Sequence, residues 1–322
     1  MGETIDLKRG VFTISLDFEL IWGTLDLLGV EGFGEQCRIE REVVIDRLLD
    51  LFEEFDVSAT WCILGHLFLE SCEAQDGVKH PELVRPNHSW HPGDWFERDP
   101  CGNIGTDPYF YGADLVRKIR DCKVYQEIGS HSFSHVIYGD NGCSAEAART
   151  DLAACLESAA KLEVNMRSFV FPRNEIGHLD LVKDAGFDIY RGAEPNWFEN
   201  SSVPQPLRRA MRLLDVLRAA EPPVVVPEKD PSGLWNIPGS AMFFPMNGIR
   251  RYLPMSRRIK RARKGLNAAV SKRKIFHLWF HPTNMSDETE TMFAGLRDIL
   301  EAADKLRGEG RLDILPLAKI IG

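Results

Sequence analysis

Apolar and polar positions alternate along this chain with two periods. Residues 11–18, Val-Phe-Thr-Ile-Ser-Leu-Asp-Phe, are apolar and β-branched enough to predict a buried strand. Over 38–55, apolar residues fall at 43, 44, 48, 51, 52 and 55 with charges between them, which predicts an amphipathic helix. A strand at 58–63, the start of a helix at 65–70 and a short helix at 113–122 follow, then a strand leading into His131. Ser144 is placed to cap a helix running to Lys161. A strand at 168–172, a helix at 179–185 stopped by Gly186 and a strand at 188–192 complete the series. Alternating strands and helices over the first 192 residues imply parallel βα units, so the class is α/β. Further on, the pattern predicts a basic helix at 206–219, a strand-like stretch at 234–240, an apolar strand at 275–281, a helix at 285–306 and a last strand at 312–317.

The pattern dissolves between residues 76 and 111, where five prolines stand among Trp90, Trp95, Tyr109 and Tyr111. A loop this long in a compact domain is functional or disordered, and so many aromatics argue against disorder. It reads as a substrate-facing lid, in which Tyr109 and Tyr111 beside Asp99, Asn103 and Asp107 suit a sugar ring. A structural cover is the other reading.

A length of 322 residues suits one large α/β barrel, taken here as a single domain over 1–322. The net charge of −9 argues against a nucleic-acid binder. There is no apolar run near membrane-spanning length and no signal-like N-terminus. Seven cysteines without a CxxC pair read as free thiols, so the expected location is cytoplasmic. One segment departs from this acidic balance. Residues 250–274 carry eleven Lys or Arg and no acid, leaving −9 − 11 = −20 for the rest. That suggests an anionic partner, such as a phosphate, a nucleotide-sugar or a membrane surface, against the ordinary alternative of a solvated helix face.

Candidate chemistry collects at strand ends, where parallel α/β folds place their sites. Asp17 and Glu19 end the first strand on one face. His131 and His135, four residues apart, follow another strand, Arg173 and Asn174 a third, and His281 a late one. One carboxylate with two imidazoles makes a metal set with open positions, the mark of a catalytic centre. The second carboxylate can then act as general base, Arg173 can orient it, and His281 can protonate a leaving nitrogen. Zinc suits this donor set first, and Fe, Co, Ni or Mn also suit it. The chemistry is hydrolysis of an amide or ester.

The order of these motifs resembles the polysaccharide deacetylases, the NodB-homology proteins of carbohydrate esterase family 4. The resemblance rests on Ser15-Leu-Asp17-Phe-Glu19, on His131-Ser-Phe-Ser-His135, and more loosely on Phe171-Pro-Arg173-Asn174, Leu234-Trp235-Asn-Ile-Pro238 and Leu278-Trp279-Phe-His281. It implies a distorted (β/α) barrel of about seven parallel strands. It also implies a metal-dependent enzyme that removes an N-acyl group, acetyl first, from an amino sugar or sugar conjugate. By the same resemblance Asp17 is the base and Glu19 completes the metal shell with His131 and His135, the reverse assignment staying open because Phe18 separates the acids. Trp22, Tyr109, Tyr111, Asn174, Trp235 and Trp279 are the candidate substrate contacts. Lacking a signal, the chain looks most like intracellular members that serve surface-polysaccharide biosynthesis. Two alternatives stand beside this reading: an allantoinase-like cyclic amidase on the same fold, and a non-catalytic carbohydrate-binding protein.

Overall fold

A computed structural model describes residues 3–196, 198 and 203–322. The sheet is organised around its longest strand, β1 (Gly10–Phe18), which is buried along its whole length. Three parallel partners share it. β9 (Ile275–Phe280) pairs with Val11–Leu16 along one edge. The other edge is divided, with β10 (Leu312–Ile314) on the first residues and β2 (Thr60–Ile63) on the last. Beyond β2 the sheet continues in parallel through β3 (Glu127–Ser130), β4 (Ser168–Val170) and β5 (Ile189–Arg191).

The two edges of this curled sheet meet at one stretch. Trp235–Asn236, which form β7, pair in parallel with β5, and Ile237 and Gly239 continue by donating to Tyr190 and Gly192. At Ser240 the chain changes partner and donates to His277, and β8 (Ala241–Met242) then pairs with β9. A short β6 (Glu228–Lys229) is the antiparallel exception at the β7 edge. The expected distorted barrel of parallel strands is therefore present, with short strands and a seam.

Several helices depart from their predicted limits for local reasons. The helix expected at 38–55 begins earlier, as α1 (Gly29–Ile39), and passes through a π-helical turn at Glu40–Val44 into α2 (Ile45–Glu54). Gly29, Gly32 and Gly34 are weak helix formers and hide its start. The helix expected at 65–70 is only a 3₁₀ turn, Gly65–Phe68. The helices α3 (Ala113–Arg120), α4 (Ala145–Lys161) and α5 (Leu179–Asp184) lie close to expectation, and Ser144 Oγ does accept from Ala147 N–H at 3.1 Å. After α6 (Gln205–Arg218) comes α7 (Met255–Lys272), then α8 (Thr289–Gly308) and α9 (Leu317–Ile320). None of the described helices is long and apolar enough to cross a membrane.

Most of the basic segment is α7, and its charges are largely spent within the fold. Ala262, Gly265, Leu266 and Ala269 face the core. Gly265 lets the helix approach β9, since a Cβ there would meet the Phe276 ring at 2.5 Å. Buried Arg258 donates to the carbonyls of Phe244 and Arg250, Arg263 pairs with Asp298, and Lys272 with Glu221.

Phe276 is fully buried and stacks on Phe12 of β1 at 5.6 Å between ring centroids. Phe276→Ala should cost about 3–5 kcal/mol, read as a lower denaturant midpoint in equilibrium unfolding.

Candidate functional site

The two histidines of the loop after β3 are brought together by a turn rather than a helix. Ser132 and His135 both take left-handed backbone, at φ 63° and 62°, a conformation that concentrates at functional sites. The loop hangs on one carboxylate. Asp151 of α4 accepts from Phe133 N–H at 2.8 Å, Ser134 N–H at 3.1 Å, Ser134 Oγ at 3.0 Å and the Tyr138 hydroxyl at 2.8 Å. Sequence reasoning missed Asp151. The signal was an acid on the same helix face as Ala147, Ala148, Leu152 and Cys155, a face that is otherwise apolar.

Glu19 Oε1 faces both imidazoles, at 2.7 Å from His131 Nε2 and 3.3 Å from His135 Nε2. His131 Nδ1–H donates to the Val170 carbonyl at 2.8 Å, which can only accept. In its neutral form the ring therefore turns the lone pair of Nε2 toward a carboxylate oxygen. Two acceptors at this distance need a proton or a cation between them, and a carbonyl on the far nitrogen is the usual outer partner of a metal-bound imidazole. The residues thus fit a divalent ion held by Glu19, His131 and His135. Gly23 leaves room for this arrangement, because a Cβ there would overlap Glu19 Oε2. Glu40, on the π-helical turn, is a second residue that sequence reasoning missed. Burial first, and the Glu19 charge second, push its carboxyl well above the ordinary range.

Asp17 is engaged elsewhere. Its two oxygens each accept from Arg191 at 2.7 Å, a bidentate pair that is almost fully buried. Burial opposes ionisation of Asp17, but the Arg191 charge outweighs it and holds the carboxyl below its usual value. The expected orienting residue, Arg173, does not reach Asp17. It pairs with Asp26 and lies over the Trp90 ring at 4.7 Å, because left-handed backbone at Arg173 and Asn174 (φ 56° and 55°) turns the chain there. Arg191, at the end of β5, takes that place. Asn174 Oδ1 accepts from Arg191 Nη2 at 3.1 Å. His281 Nε2 lies 3.5 Å from Glu19 Oε1 and 3.8 Å from Asp17 Oδ2. Burial lowers its pKa, yet the Glu19 charge beside it raises it on balance.

A buried relay supports the pair from below. His277 Nδ1–H donates to the Pro238 carbonyl at 3.1 Å, which leaves Nε2 to accept from Ser15 Oγ at 2.8 Å. Ser15 Oγ in turn accepts from Arg191 Nη1 at 3.0 Å.

Two cavities flank the centre. One of about 220 Å³ is lined by Trp22, Trp90, His91, Trp95 and His135. The other, of about 480 Å³, is lined by Arg191, Glu194, Arg208, Arg209, Arg250 and Trp279. Arg173 and Asn174 line the second cavity, while Asp26 and Trp90, the partners of Arg173, line the first. Of the expected substrate contacts, Trp22, Asn174 and Trp279 therefore stand at cavities. Tyr109, Tyr111 and Trp235 line neither of these two cavities. The buried Tyr111 hydroxyl accepts from Gly102 N–H, Tyr109 packs beside Gly34 of α1, and Trp235 lies on β7 under Lys229.

No family model and no curated protein matches the chain in sequence. Solved structures do match in fold. A Mycobacterium smegmatis protein assigned as a polysaccharide deacetylase superposes with a TM-score of 0.63 at 13% identity, covering 99% of this chain and 93% of that one. PuuE allantoinase gives 0.59 at 11%, covering 96% and 88%. A Pseudomonas aeruginosa PAO1 protein assigned as a polysaccharide deacetylase gives 0.59 at 11%, covering 96% and 89%. The chain has the fold these proteins share, a curled, mostly parallel α/β half-barrel.

Burial, and then the Arg191 charge, push His277 from 6.5 down to about 3. Its folded value lies below the unfolded one, so the folded state binds fewer protons below pH 6.5. The stability it contributes is complete above that pH and is lost as the pH falls toward 3. Urea unfolding at pH 5 against pH 7 should show a loss of about 2 kcal/mol from this group, and His277→Gln should remove that component.

Proposed function

We propose that this chain is a metal-dependent hydrolase that removes an N-acyl group, acetyl in the first instance, from an amino sugar bearing an anionic group. The observation that carries this reading is the convergence of Glu19, His131 and His135 on one point, with Asp17 and His281 beside it. A divalent ion there, zinc first by its donors, would supply Lewis acidity and make water acidic near neutral pH. The geometry favours Glu19 as the ligand and Asp17 as the base, since Glu19 faces the imidazoles and Asp17 faces Arg191. Asp17, held in place by Arg191, takes the proton of the attacking water as its oxygen adds to the acyl carbon. His281 donates a proton to the departing nitrogen as the C–N bond breaks, giving a carboxylic acid and a free amine. The fold likeness to two proteins assigned as polysaccharide deacetylases supports the choice of bond.

The flanking cavities support the choice of substrate. Trp22, Trp90 and Trp95 line the first cavity with aromatic surface that suits a sugar. Arg208, Arg209 and Arg250 offer forked donors for a phosphate. Burial, and then the charges of Arg209 and Arg212, lower the pKa of Arg250, the sign of a cationic cluster that an anion would relieve. The anion site is thus drawn from α6 and the start of the basic segment, and a phosphate-bearing precursor fits it better than a neutral finished polymer.

Amine release from the zinc-loaded protein tests the reading. N-acetylhexosamine phosphates and nucleotide-linked N-acetylhexosamines should turn over, unphosphorylated sugars more weakly. Asp17→Asn should lower kcat roughly 10²–10⁴-fold. Arg209→Ala and Arg250→Ala should each raise KM for the phosphorylated substrate about tenfold with kcat nearly unchanged. Turnover of allantoin alone would favour the cyclic amidase that the likeness to PuuE allantoinase suggests. Sugar binding without turnover in the metal-loaded chain would leave a binding protein.

A further inference from the structure

The irregular 76–111 segment has an anchor that the hydrolytic reading does not use. His66, on the turn after β2, meets Cys72, His80 and Asp99, with one ligand atom from each lying within 4.8 Å of the others. His80 Nε2 is 2.9 Å from Asp99 Oδ2, His66 Nε2 is 3.2 Å from the same oxygen, and Cys72 Sγ is 3.7 Å from it. His66 and Asp99 are 0% exposed and His80 6%, so water does not serve these groups.

The partners of His66 leave something missing. Its Nδ1–H donates to the Phe110 carbonyl at 3.0 Å, so the neutral ring carries a lone pair on Nε2. That nitrogen is buried without a hydrogen-bond partner, although it points at a carboxylate oxygen. A buried acceptor facing another acceptor is costly unless a cation lies between them. The outer contacts are also those of metal-binding groups. Asp99 Oδ1 accepts from Cys101 N–H at 2.9 Å, and His80 Nδ1 faces Glu82 Oε1 at 3.4 Å.

We propose that His66, Cys72, His80 and Asp99 bind a structural zinc ion that fastens this segment to the barrel. Two imidazoles, a thiolate and a carboxylate fill a tetrahedral shell and leave no open position. The two anionic donors neutralise the dication, as a buried site requires. Zinc bonds of about 2.0–2.3 Å give donor separations of roughly 3.3–3.8 Å, and the 2.9, 3.2 and 3.7 Å found around Asp99 Oδ2 lie within or a few tenths of an ångström below that span. His66 comes from the rim of the sheet, Cys72 from the stretch just after it, and His80 and Asp99 from the 76–111 segment. The ion therefore ties a stretch without regular structure to β2 and supports Trp22, which packs on His66 at 4.4 Å and lines the same cavity as His135.

Metal analysis of the whole chain, purified under reducing conditions and loaded with zinc, tests this. About two equivalents are expected. The His131→Ala/His135→Ala double variant should keep about one, and so should Cys72→Ala, which loses the other ion. Cobalt alone separates the sites, because only this cluster holds sulfur. The wild-type cobalt protein should show thiolate-to-cobalt charge-transfer absorption in the near ultraviolet, retained in the double-histidine variant and lost in Cys72→Ala. The band in the wild-type chain decides the matter even where a variant does not fold. A cobalt-loaded wild type without that band overturns the proposal, as does a metal-free cluster with Cys72 and Cys101 joined in a disulfide. Failure of the hydrolase reading alone would leave the band in place.

Discussion

The bidentate pair of Arg191 and Asp17 fixes the rim of the sheet on which everything else is mounted. Both groups are almost fully buried, and such a pair has little surplus of energy over the cost of desolvating it. What it supplies is position. Removing either partner would strand a charge in the core, so the two strand ends cannot drift apart cheaply. The guanidinium also touches Ser15, Asn174 and the Trp279 ring, and through Ser15 it reaches His277. Residues from β1, β5, β9 and the turn after β4 are thereby held to one planar group. The carboxylate that faces the imidazoles, Glu19, is only two residues beyond the anchored Asp17, so its place follows from the same pair.

What could be read from the sequence was what is local. The two histidines are four residues apart, and the acids share one strand face, so periodicity and spacing placed them correctly at strand ends. The alternation of strands and helices likewise carried the parallel class. Arg191 was not legible, because its partnership spans the sheet and nothing nearby in sequence marks it. Arg173 stands beside a proline at a strand end and drew the role by proximity, yet two left-handed residues turn it to Asp26. Tyr111 was chosen as an aromatic near polar residues, a pattern that buried structural rings share, and Trp235 from the resemblance of its strand to a family motif. His66, Cys72, His80 and Asp99 lie 6, 8 and 19 residues apart, and no regular element or motif period brings them together.

The charge pattern carried a similar lesson. A cation-rich stretch without a single acid suggested one anionic partner for the whole of 250–274. In the fold, a helix that must lie against the sheet presents many of its cations to carbonyls and surface carboxylates. The cationic face that remains at the centre is built jointly by α6 and Arg250, from segments about forty residues apart. Net charge along a sequence thus identified a real surplus but not its geometry.

The seam at 235–243 has a mechanical consequence. Its first half is bonded to β5, which ends in Arg191, and its second half to β9, which runs into His281. The change of partner occurs beside Pro238, whose carbonyl also receives His277. The span between the guanidinium and the late imidazole is therefore gauged by the number of residues in this one stretch. Lengthening it would pull on the Arg191–Asp17 pair and on the approach of His281 to Glu19. The width of the mouth and the ion-binding centre are thus coupled through this one stretch, and one does not change without the other.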